Sequence, residues 1–257
     1  MTFIHLAARV SVPECEADPD SAYETNVRLA VATVTQVLDW AERSGSPAQV
    51  VFVSTGHVYA ANGLGHRLPE DADLGPRSVY ARTKLDAETA ISDLAASRDI
   101  PLVIGRVFGL IGPAQPDNYV LPGLIQRARK GRLRDIPGLD YTRDYLDTRD
   151  VADALLRLVE IQADRTVVNV CSGIPVTIRE LLNAVLRDFD PGGAEKAIAD
   201  ATSAIGRPDD VTWLVGDPAR YISLTGVAAQ RIPLSRTVAD TIRSRPSASG
   251  PCVRAST

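Results

Sequence analysis

Short apolar runs alternate with longer amphipathic stretches through the first half of this chain. Residues 2–8, TFIHLAA, lead straight into the polar segment RVSVPECEADPDS at 9–21, which predicts a strand followed by a loop. Residues 21–45, SAYETNVRLAVATVTQVLDWAERSG, repeat apolar side chains at Val27, Val31, Val34, Leu38 and Ala41 and stop at Gly45, an amphipathic helix. AQVVFVSTG at 48–56 is almost continuously β-branched, as in a strand covered on both faces. A helix is predicted over 78–97, then the strand PLVIGRVFG at 101–109 and a break at Gly112-Pro113. Strands alternating with helices predict a parallel, doubly wound sheet. Ligands gather beyond the carboxyl ends of such strands, so Ala8-Arg9, Ser54-Thr55 and the residues from Arg106 onward are where a site belongs.

Beyond Pro113 the pattern loosens. A helix is predicted near 117–130, a loop and short strand within 131–147, and a strong helix from Thr148. RTVVNVCSG at 165–173 reads as another buried strand, and TIRELLNAVLRDF at 177–189 as a helix with Ile178, Leu181, Leu182 and Val185 on one side. A looser segment, RPDDVTWLVGDPARYISLTG, leads to a last helix near 234–244. The Ser/Pro-rich end has no periodicity and predicts a disordered tail. There is no internal repeat.

Composition narrows the classes. At 257 residues the chain holds one good core or a core and a small lobe, with 45% apolar and 23% charged residues. A net charge of -4 makes no electrostatic case for nucleic acid or an anionic membrane. Cys15, Cys171 and Cys252 are far apart and odd in number, without disulfide or metal-ligand spacing, which points to a reducing cytoplasm. No apolar run reaches the roughly 18 residues of a membrane span. MTFIHLAARV carries neither a basic leader nor a small-residue cleavage site, so it is expected to be a strand and not a signal peptide.

The chemistry centres on VYARTKLDAETA at 79–90, where Tyr80 and Lys84 stand one helical turn apart, with Ala81 and Leu85 turned to a core. A free phenol, with a pKa of about 10, is a poor acid or base at neutral pH. An ammonium within about 4–6 Å favours the phenolate, and a hydroxyl from Ser54 or Thr55 orients a carbonyl or alcohol against it. The three make a proton relay suited to carbonyl reduction, with hydride from a nicotinamide because no side chain supplies one. A surface helix with a solvated lysine is the plainer reading; the pair's place after a strand ending in Ser-Thr favours the relay. Asp147 and Asp150 read as helix capping and pairing with Arg149 or Arg143, in preference to a metal pair. Arg127, Arg129, Lys130, Arg132 and Arg134 form a basic run that either meets nucleotide phosphates or is a solvated helix end. Asn169 and Ser172 read as turn residues and Cys171 as core.

The blocks FIHLAARVSVPECEADPDSAYETNV, VFVSTGHVYA, SVYARTKLDAE, GRVFGLIGP, RDYLDTRDVADA, VVNVCSG and RPDDVTWLVGDPARYISLTG follow in order and cover nearly all of the chain outside its tail. Together they resemble the extended short-chain dehydrogenase/reductase family of NAD-dependent nucleotide-sugar epimerases, dehydratases and reductases. Within it, NVCSGIPVTIRELL and RPDDVTWLVGDPAR look most like the GDP-4-keto-6-deoxymannose reductases and GDP-mannose dehydratases. The resemblance implies an α/β fold, an N-terminally truncated Rossmann-like doubly wound parallel sheet with a smaller C-terminal substrate lobe. On that reading residues 1–113, joined by 147–170, form the dinucleotide domain, 114–146 and 171–244 the sugar-nucleotide lobe, and 245–257 the tail.

The resemblance also implies roles. Thr55 matches the catalytic hydroxyl, Tyr80 the acid/base, and Lys84 the lysine that holds the nicotinamide ribose and lowers the phenol's pKa. Ala7, Ala8, Asn26, Ser54 and Val107 fall at cofactor positions, the cofactor being NAD or NADP. Arg143, Arg207 and Asp210 fall where the family meets a nucleotide-diphosphate sugar, a fitting use of paired guanidinium donors. His57 is a substrate contact or a polar loop histidine. A homodimer through the helices carrying Asn26 and Tyr80 is implied, with no metal.

Departures from the family carry information too. Gly56 and His57 stand where dehydratases have an acidic pair that drives loss of water, which favours a reductase or an epimerase. Gly109 replaces an asparagine that bonds substrate phosphate. The family's opening strand, its G-x-x-G-x-x-G turn and a second βα unit have no counterpart before FIHLAA. At about 30 residues per unit, roughly 60 residues and the helix N-terminus that receives a pyrophosphate are expected to be lacking, through a misassigned start or a real truncation. NGLG at 62–65 is no substitute, being in the loop after Tyr59. TFIHLAA or QVVFV is then expected as an exposed apolar edge. The function expected is NAD(P)H-dependent reduction of a 4-keto-6-deoxy sugar nucleotide by Thr55, Tyr80 and Lys84. The alternatives are a 4-epimerase, or an impaired remnant that only binds a nucleotide sugar or a partner chain.

Overall fold

The computed structural model describes residues 1–60, 65–161, 165–204 and 210–245. Its first sheet has four parallel strands: β1 (Thr2–His5), β2 (Gln49–Thr55), β3 (Leu102–Val107) and, later in the chain, a strand at Thr166–Val170. Between β1 and β2 run α1 (Val12–Ala17), α2 (Pro19–Tyr23), a π-helical turn (Glu24–Leu29) and α3 (Ala30–Arg43). A 3₁₀ turn (Gly56–Val58) and α4 (Val79–Ser97) join β2 to β3. The Ser78 side chain accepts the Ala81 N–H, so α4 starts one residue before Tyr80.

A short strand β4 (Gly109–Ile111) and α5 (Val120–Arg129) lead to β5 (Thr142–Asp147), then α6 (Thr148–Glu160) and β6 (Thr166–Val170), the fourth strand of the first sheet. The chain continues through β7 (Pro175–Thr177), α7 (Ile178–Phe189), α8 (Ala194–Ala199), β8 (Trp213–Leu214), α9 (Ala219–Thr225) and α10 (Leu234–Arg243). The second sheet is built on β5, which pairs with β4 and β8 in parallel and with β7 antiparallel.

Residue alternation sorts the core. Val50, Phe52, Leu102 and Ile104 face α3 and α4, where Val34, Leu38, Ala87 and Ile91 meet them. The intervening Val51, Val103 and Val107 face the other way, onto Val151, Leu155 and Leu158 of α6. Each such fully buried side chain contributes about 1.5–3 kcal/mol. Separately, Ile111, Leu121, Ile125, Leu181, Leu182 and Val185 pack with α10 around the second sheet.

Several expectations change. The segment 9–21 is not simply a loop: it holds α1 and the start of α2, each opened by a proline in its first turn. PLVIGRVFG splits into two strands of different sheets, because the chain turns at Phe108 to put β4 beside β5. The segment 207–226 includes β8 and α9. QVVFV is an inner strand, between β1 and β3, whereas β1 has a neighbour on one side only among the described residues. Residues 62–64 of the NGLG loop, Arg207 and the tail from residue 246 lie outside the described residues.

Candidate functional site

Beyond the carboxyl end of β2, Thr55 has a β conformation and its hydroxyl accepts the His57 N–H at 3.3 Å. This small cap turns the chain into the 3₁₀ helix and points His57 at α4. The His57 and Tyr80 rings meet edge to face, 6.4 Å apart. The Tyr80 phenol is near Thr55, whose hydroxyl opposes the rise of the phenol's pKa. Arg143 of β5 closes the group from the second sheet, and its charge helps burial to draw the His57 pKa down to about 4. Thr55, His57, Tyr80 and Arg143 are therefore brought together from β2, the turn after it, α4 and β5.

The structure corrects the electrostatics expected of Tyr80 and Lys84. Burial pushes the phenol's pKa up to about 12 against the opposing influence of Thr55, and the Cys15 and Tyr119 groups add to the rise. The Lys84 ammonium turns toward the sheet instead, 4.2 Å from the centre of the Phe52 ring. Its pKa falls to about 8 through burial, with the Glu88 charge opposing. Both residues face the β2 side of α4, as their spacing implies, but the phenol lies above the strand end and the lysine side chain lies over the strand.

Other expected site residues divide. Ala7 and Ala8 occupy the loop after β1, Ala7 exposed and Ala8 half-buried. Asn26, expected at the cofactor, has its amide filled by protein: Oδ1 accepts the Arg9 N–H at 2.7 Å, and Nδ2 donates to the Arg9 carbonyl and the Thr83 hydroxyl, both at 3.0 Å. It is a clamp that ties the Ala7-Ala8 loop to α4, and the π turn that carries it is a common device at such places. Ser54 is buried with its hydroxyl unpartnered. The Val107 side chain belongs to the core facing α6, so only its backbone is at the strand end.

In the second sheet the Arg143 guanidinium stacks on Tyr141 and donates to the Thr142 and Val211 carbonyls, at 2.8 and 2.6 Å. Asp210 accepts the Tyr141 phenol at 2.6 Å, so it orders this wall of the site. Gly109 is required where it is: a Cβ there would lie 2.6 Å from the Asp144 carbonyl oxygen and 2.8 Å from the Tyr145 ring. An asparagine here would have to displace the Asp144 carbonyl or the Tyr145 ring.

Asp147 and Asp150 behave as the capping reading expected in part. Asp147 accepts the Arg149 N–H and pairs with its guanidinium, while Asp150 holds the Arg231 and Ile232 N–H groups. Among the described residues no cluster of His, Cys, Asp or Glu is arranged for a metal. Arg127, Arg132 and Arg134 rim a cavity of about 740 Å³ with Lys196, Asp190 and Asp200, separate from Tyr80.

Sequence reasoning missed two buried polar hubs. Asp144 is fully buried and accepts from the Ser172 N–H and hydroxyl and from the Gly173 and Gly216 N–H groups, at 2.8, 2.6, 2.8 and 3.3 Å. Arg106 pairs with Glu88 and lies 4.8 Å from the Tyr59 ring centre, while Tyr59 donates to Asn169 at 2.7 Å. Asn169 is thus no mere turn residue. The available signal was a charged residue inside an otherwise apolar strand, Arg106 in VIGRVF, which demands a buried partner.

Residues 2–171 match the profile of the NAD dependent epimerase/dehydratase family. The chain belongs to this family. GDP-6-deoxy-D-mannose reductase of Pseudomonas aeruginosa is 34% identical over 188 residues, covering 70% of this chain and 60% of the reductase. UDP-glucose 4-epimerase of Rhizobium leguminosarum bv. trifolii is 33% identical over 205 residues, covering 71% of this chain and 60% of the epimerase. The NADPH complex of RMD from Pseudomonas aeruginosa superimposes with a TM-score of 0.79 at 27% identity, over 95% of this chain and 80% of that one. The chain thus spans 60% of the length of each of the two curated relatives.

Members of this family are NAD-dependent, and the described residues fit the nicotinamide end of such a cofactor. Ser54 Oγ, near the carboxyl end of β2, is buried without a partner. The fit is to that end alone: no helix following a described strand of the first sheet starts from a glycine-rich turn of the kind that cradles a pyrophosphate. Among the described residues no helix is long and apolar enough to cross a membrane.

Proposed function

We propose that the chain reduces the keto group of a 4-keto-6-deoxy sugar nucleotide, Tyr80 acting as the proton donor. The observation that carries this is the meeting of Thr55, His57 and Tyr80 beyond the carboxyl end of β2 with Arg143 from the start of β5. A nicotinamide held by Lys84, Ser54 and the Ala7-Ala8 loop supplies the hydride when bound. The Thr55 hydroxyl orients the sugar oxygen against the phenol, and Tyr80 gives its proton to the oxygen as negative charge develops there. Arg143 offers a guanidinium to the diphosphate, Asp210 orders the same wall through Tyr141, and Arg207 is assigned to the nucleotide by the family resemblance alone.

The phenol's environment keeps it in the donor form. A phenol whose pKa burial raises is protonated at neutral pH and ready to donate. A 4-epimerase must first take a proton from a sugar hydroxyl. The epimerase is nevertheless the second reading, supported by the 33% identity to UDP-glucose 4-epimerase. The cofactor is NAD or NADP. The assembly that goes with the reading is a homodimer through the helices carrying Asn26 and Tyr80, where Leu29 and Trp40 of the long helical run are 55% and 52% exposed, three turns apart. A reducing cytoplasm suits the free, buried thiols of Cys15 and Cys171.

The test mixes the folded protein with GDP-4-keto-6-deoxymannose and NADPH. Consumption of the reduced cofactor with formation of the deoxy sugar is expected, and Tyr80→Phe should cut the rate by about 10²–10⁴ without moving the melting temperature. Sugar inversion without net cofactor consumption selects the epimerase. Silence from well-folded protein, or full activity in Tyr80→Phe, sinks the reading.

A further inference from the structure

The basic run at the end of α5 takes no part in the site around Tyr80, and its members divide. The Arg129 guanidinium lies over the Phe189 ring and donates to the Ile242 and Arg245 carbonyls, so it ties α5 to the end of α10. Lys130 is exposed and outside any cavity wall described above. Arg127, Arg132 and Arg134 instead line a cavity of about 740 Å³, where Lys196 of α8 joins them.

Basic residues at a helix end often do no more than complement the helix dipole. That accounts for Arg127, in the last turn of α5. It does not account for Arg132 and Arg134, which lie beyond the helix, or for Lys196, which belongs to another one. Gly131 takes the left-handed conformation, φ 62°, and the Arg132 N–H returns to the Arg127 carbonyl at 2.9 Å, closing α5. The residues that follow are pinned. The Leu133 carbonyl accepts the Thr202 N–H at 3.1 Å, the Ile136 N–H donates to the Thr202 carbonyl at 2.9 Å, and the Asp135 N–H to the Thr202 hydroxyl at 3.0 Å. Arg127 Nη1 reaches the Arg134 carbonyl at 3.4 Å. Ala194, 1% exposed, seats α8 in the core. The cations thus stand on fixed backbone from separate segments, with Leu133 and Ala197 as apolar wall between them and the core.

Among the described residues none of these four cations forms an ion pair. Asp190 and Asp200 share the cavity, and Asp190 Oδ1 already accepts the Gly192 N–H of its own turn at 3.2 Å. Four positive charges therefore face two negative ones, in a chain whose net charge is -4. A cleft with an excess of one sign concentrates ions of the other. Each guanidinium presents paired N–H donors that match phosphate oxygens. Three such forks and an ammonium offer more donors than a single phosphate has oxygens, and suit two linked phosphates. The volume lies within the range of small-molecule sites, about 300–1,000 Å³.

We propose that this cavity is a second ligand site, separate from Tyr80 and Arg143, that takes a diphosphate group. Arg127, Arg132, Arg134 and Lys196 hold the phosphates. The group comes either as free diphosphate or as the end of a nucleoside diphosphate, whose sugar hydroxyl Asp200 accepts while its base lies on Leu133 and Ala197. The site is independent of the activity proposed above.

The test titrates the full chain with inorganic pyrophosphate at constant ionic strength and follows the lysine side chains by NMR. Lys84, Lys130 and Lys196 are the only lysines, so Lys130→Arg and Lys196→Arg assign every signal. The Lys196 signal should shift and saturate, while Lys130, in the same run but outside the cavity, should drift without saturating. Replacing both arginines, Arg132→Gln with Arg134→Gln, should weaken binding by about tenfold or more for each. Arg143→Gln, in the proposed sugar-nucleotide site, should leave the affinity read at Lys196 within about twofold. ADP that binds at Lys196 at least as tightly as pyrophosphate supports the nucleoside form, and weaker ADP supports free diphosphate.

A Lys196 shift that never saturates, or that Lys130 matches, is the screening of a solvated surface and overturns the proposal. A double variant that binds as tightly as the parent overturns it too, as does loss of the Lys196 shift in Arg143→Gln. If the double variant does not fold, Arg132→Gln alone decides, an unchanged affinity again being fatal. None of these readouts uses turnover, so a failed sugar-reduction assay would refute the proposed activity and leave the diphosphate site standing.

Discussion

Removing one half of the Arg106–Glu88 pair strands a charge in the centre of the molecule. Both side chains are 5% exposed, and the guanidinium meets the carboxylate through Nε at 3.1 and 3.2 Å and through Nη2 at 2.7 Å. The pair joins β3 to α4, one turn beyond Lys84. Breaking such a buried pair from one side costs about 3–5 kcal/mol, whereas replacing both partners by apolar groups is often close to neutral. Glu88→Leu strands a guanidinium that cannot give up its proton, and Arg106→Met strands the carboxylate while also removing the cation from the Tyr59 ring.

Each single variant should lose about 3–5 kcal/mol, a fall of roughly 10 °C in melting temperature for a chain of this size. Glu88→Leu should also draw the Lys84 pKa further below about 8, because the Glu88 charge supports the ammonium. The double variant should be no less stable than the worse single one, giving a coupling of about 3 kcal/mol in the cycle. Urea unfolding followed by the fluorescence of Trp40 and Trp213 measures all four proteins. A double variant whose loss equals the sum of the singles, or singles that lose under about 1 kcal/mol, would refute the assignment of this pair as one buried unit.

Three further outcomes are expected. Gly109→Asn meets the Asp144 carbonyl oxygen and the Tyr145 ring; overpacking of this kind costs about 1–3 kcal/mol, and calorimetry should show both that loss and no gain in sugar-nucleotide affinity. His57 holds a pKa of about 4 in the fold against 6.5 for a free imidazole, so the unfolded chain takes up its proton first as the pH falls. Stability should then decline between pH 6.5 and 4 by at most about 1.4 kcal/mol per unit from this group, and urea midpoints of His57→Gln should show a shallower decline over the same window. Asn26→Ala strands the Arg9 N–H and carbonyl together with the Thr83 hydroxyl; hydrogen exchange should quicken at residues 7–10, with a stability loss of about 1–3 kcal/mol, and unchanged exchange would remove the clamp assigned to it.

The alternation of the apolar runs carried much of the architecture. β2, β3 and β6 are apolar because both sheet faces are covered, and α3, α6, α7 and α10 are amphipathic because one face of each meets a sheet or another helix. Such patterns depend on local period and burial, which neighbours in sequence express. The Thr55, Tyr80 and Lys84 spacing was legible for the same reason: a strand end and one turn of helix place them. What was not legible is which way each side chain turns. Lys84 leaves Tyr80 for Phe52 because the sheet offers it an aromatic face, and Asn26 is consumed by Arg9 because the loop after β1 folds back on the π turn.

By itself, then, the order of residues determined a parallel α/β chain with a tyrosine, a lysine and a threonine near the end of a central strand. Packing decided the rest. It put Arg143 beside His57 from a strand some 86 residues further on, raised the phenol and lowered the ammonium by burial, and brought His5 and Lys84 against the Phe52 ring. Those effects depend on distance and solvent exclusion between segments far apart in the chain. No local pattern of side chains encodes them.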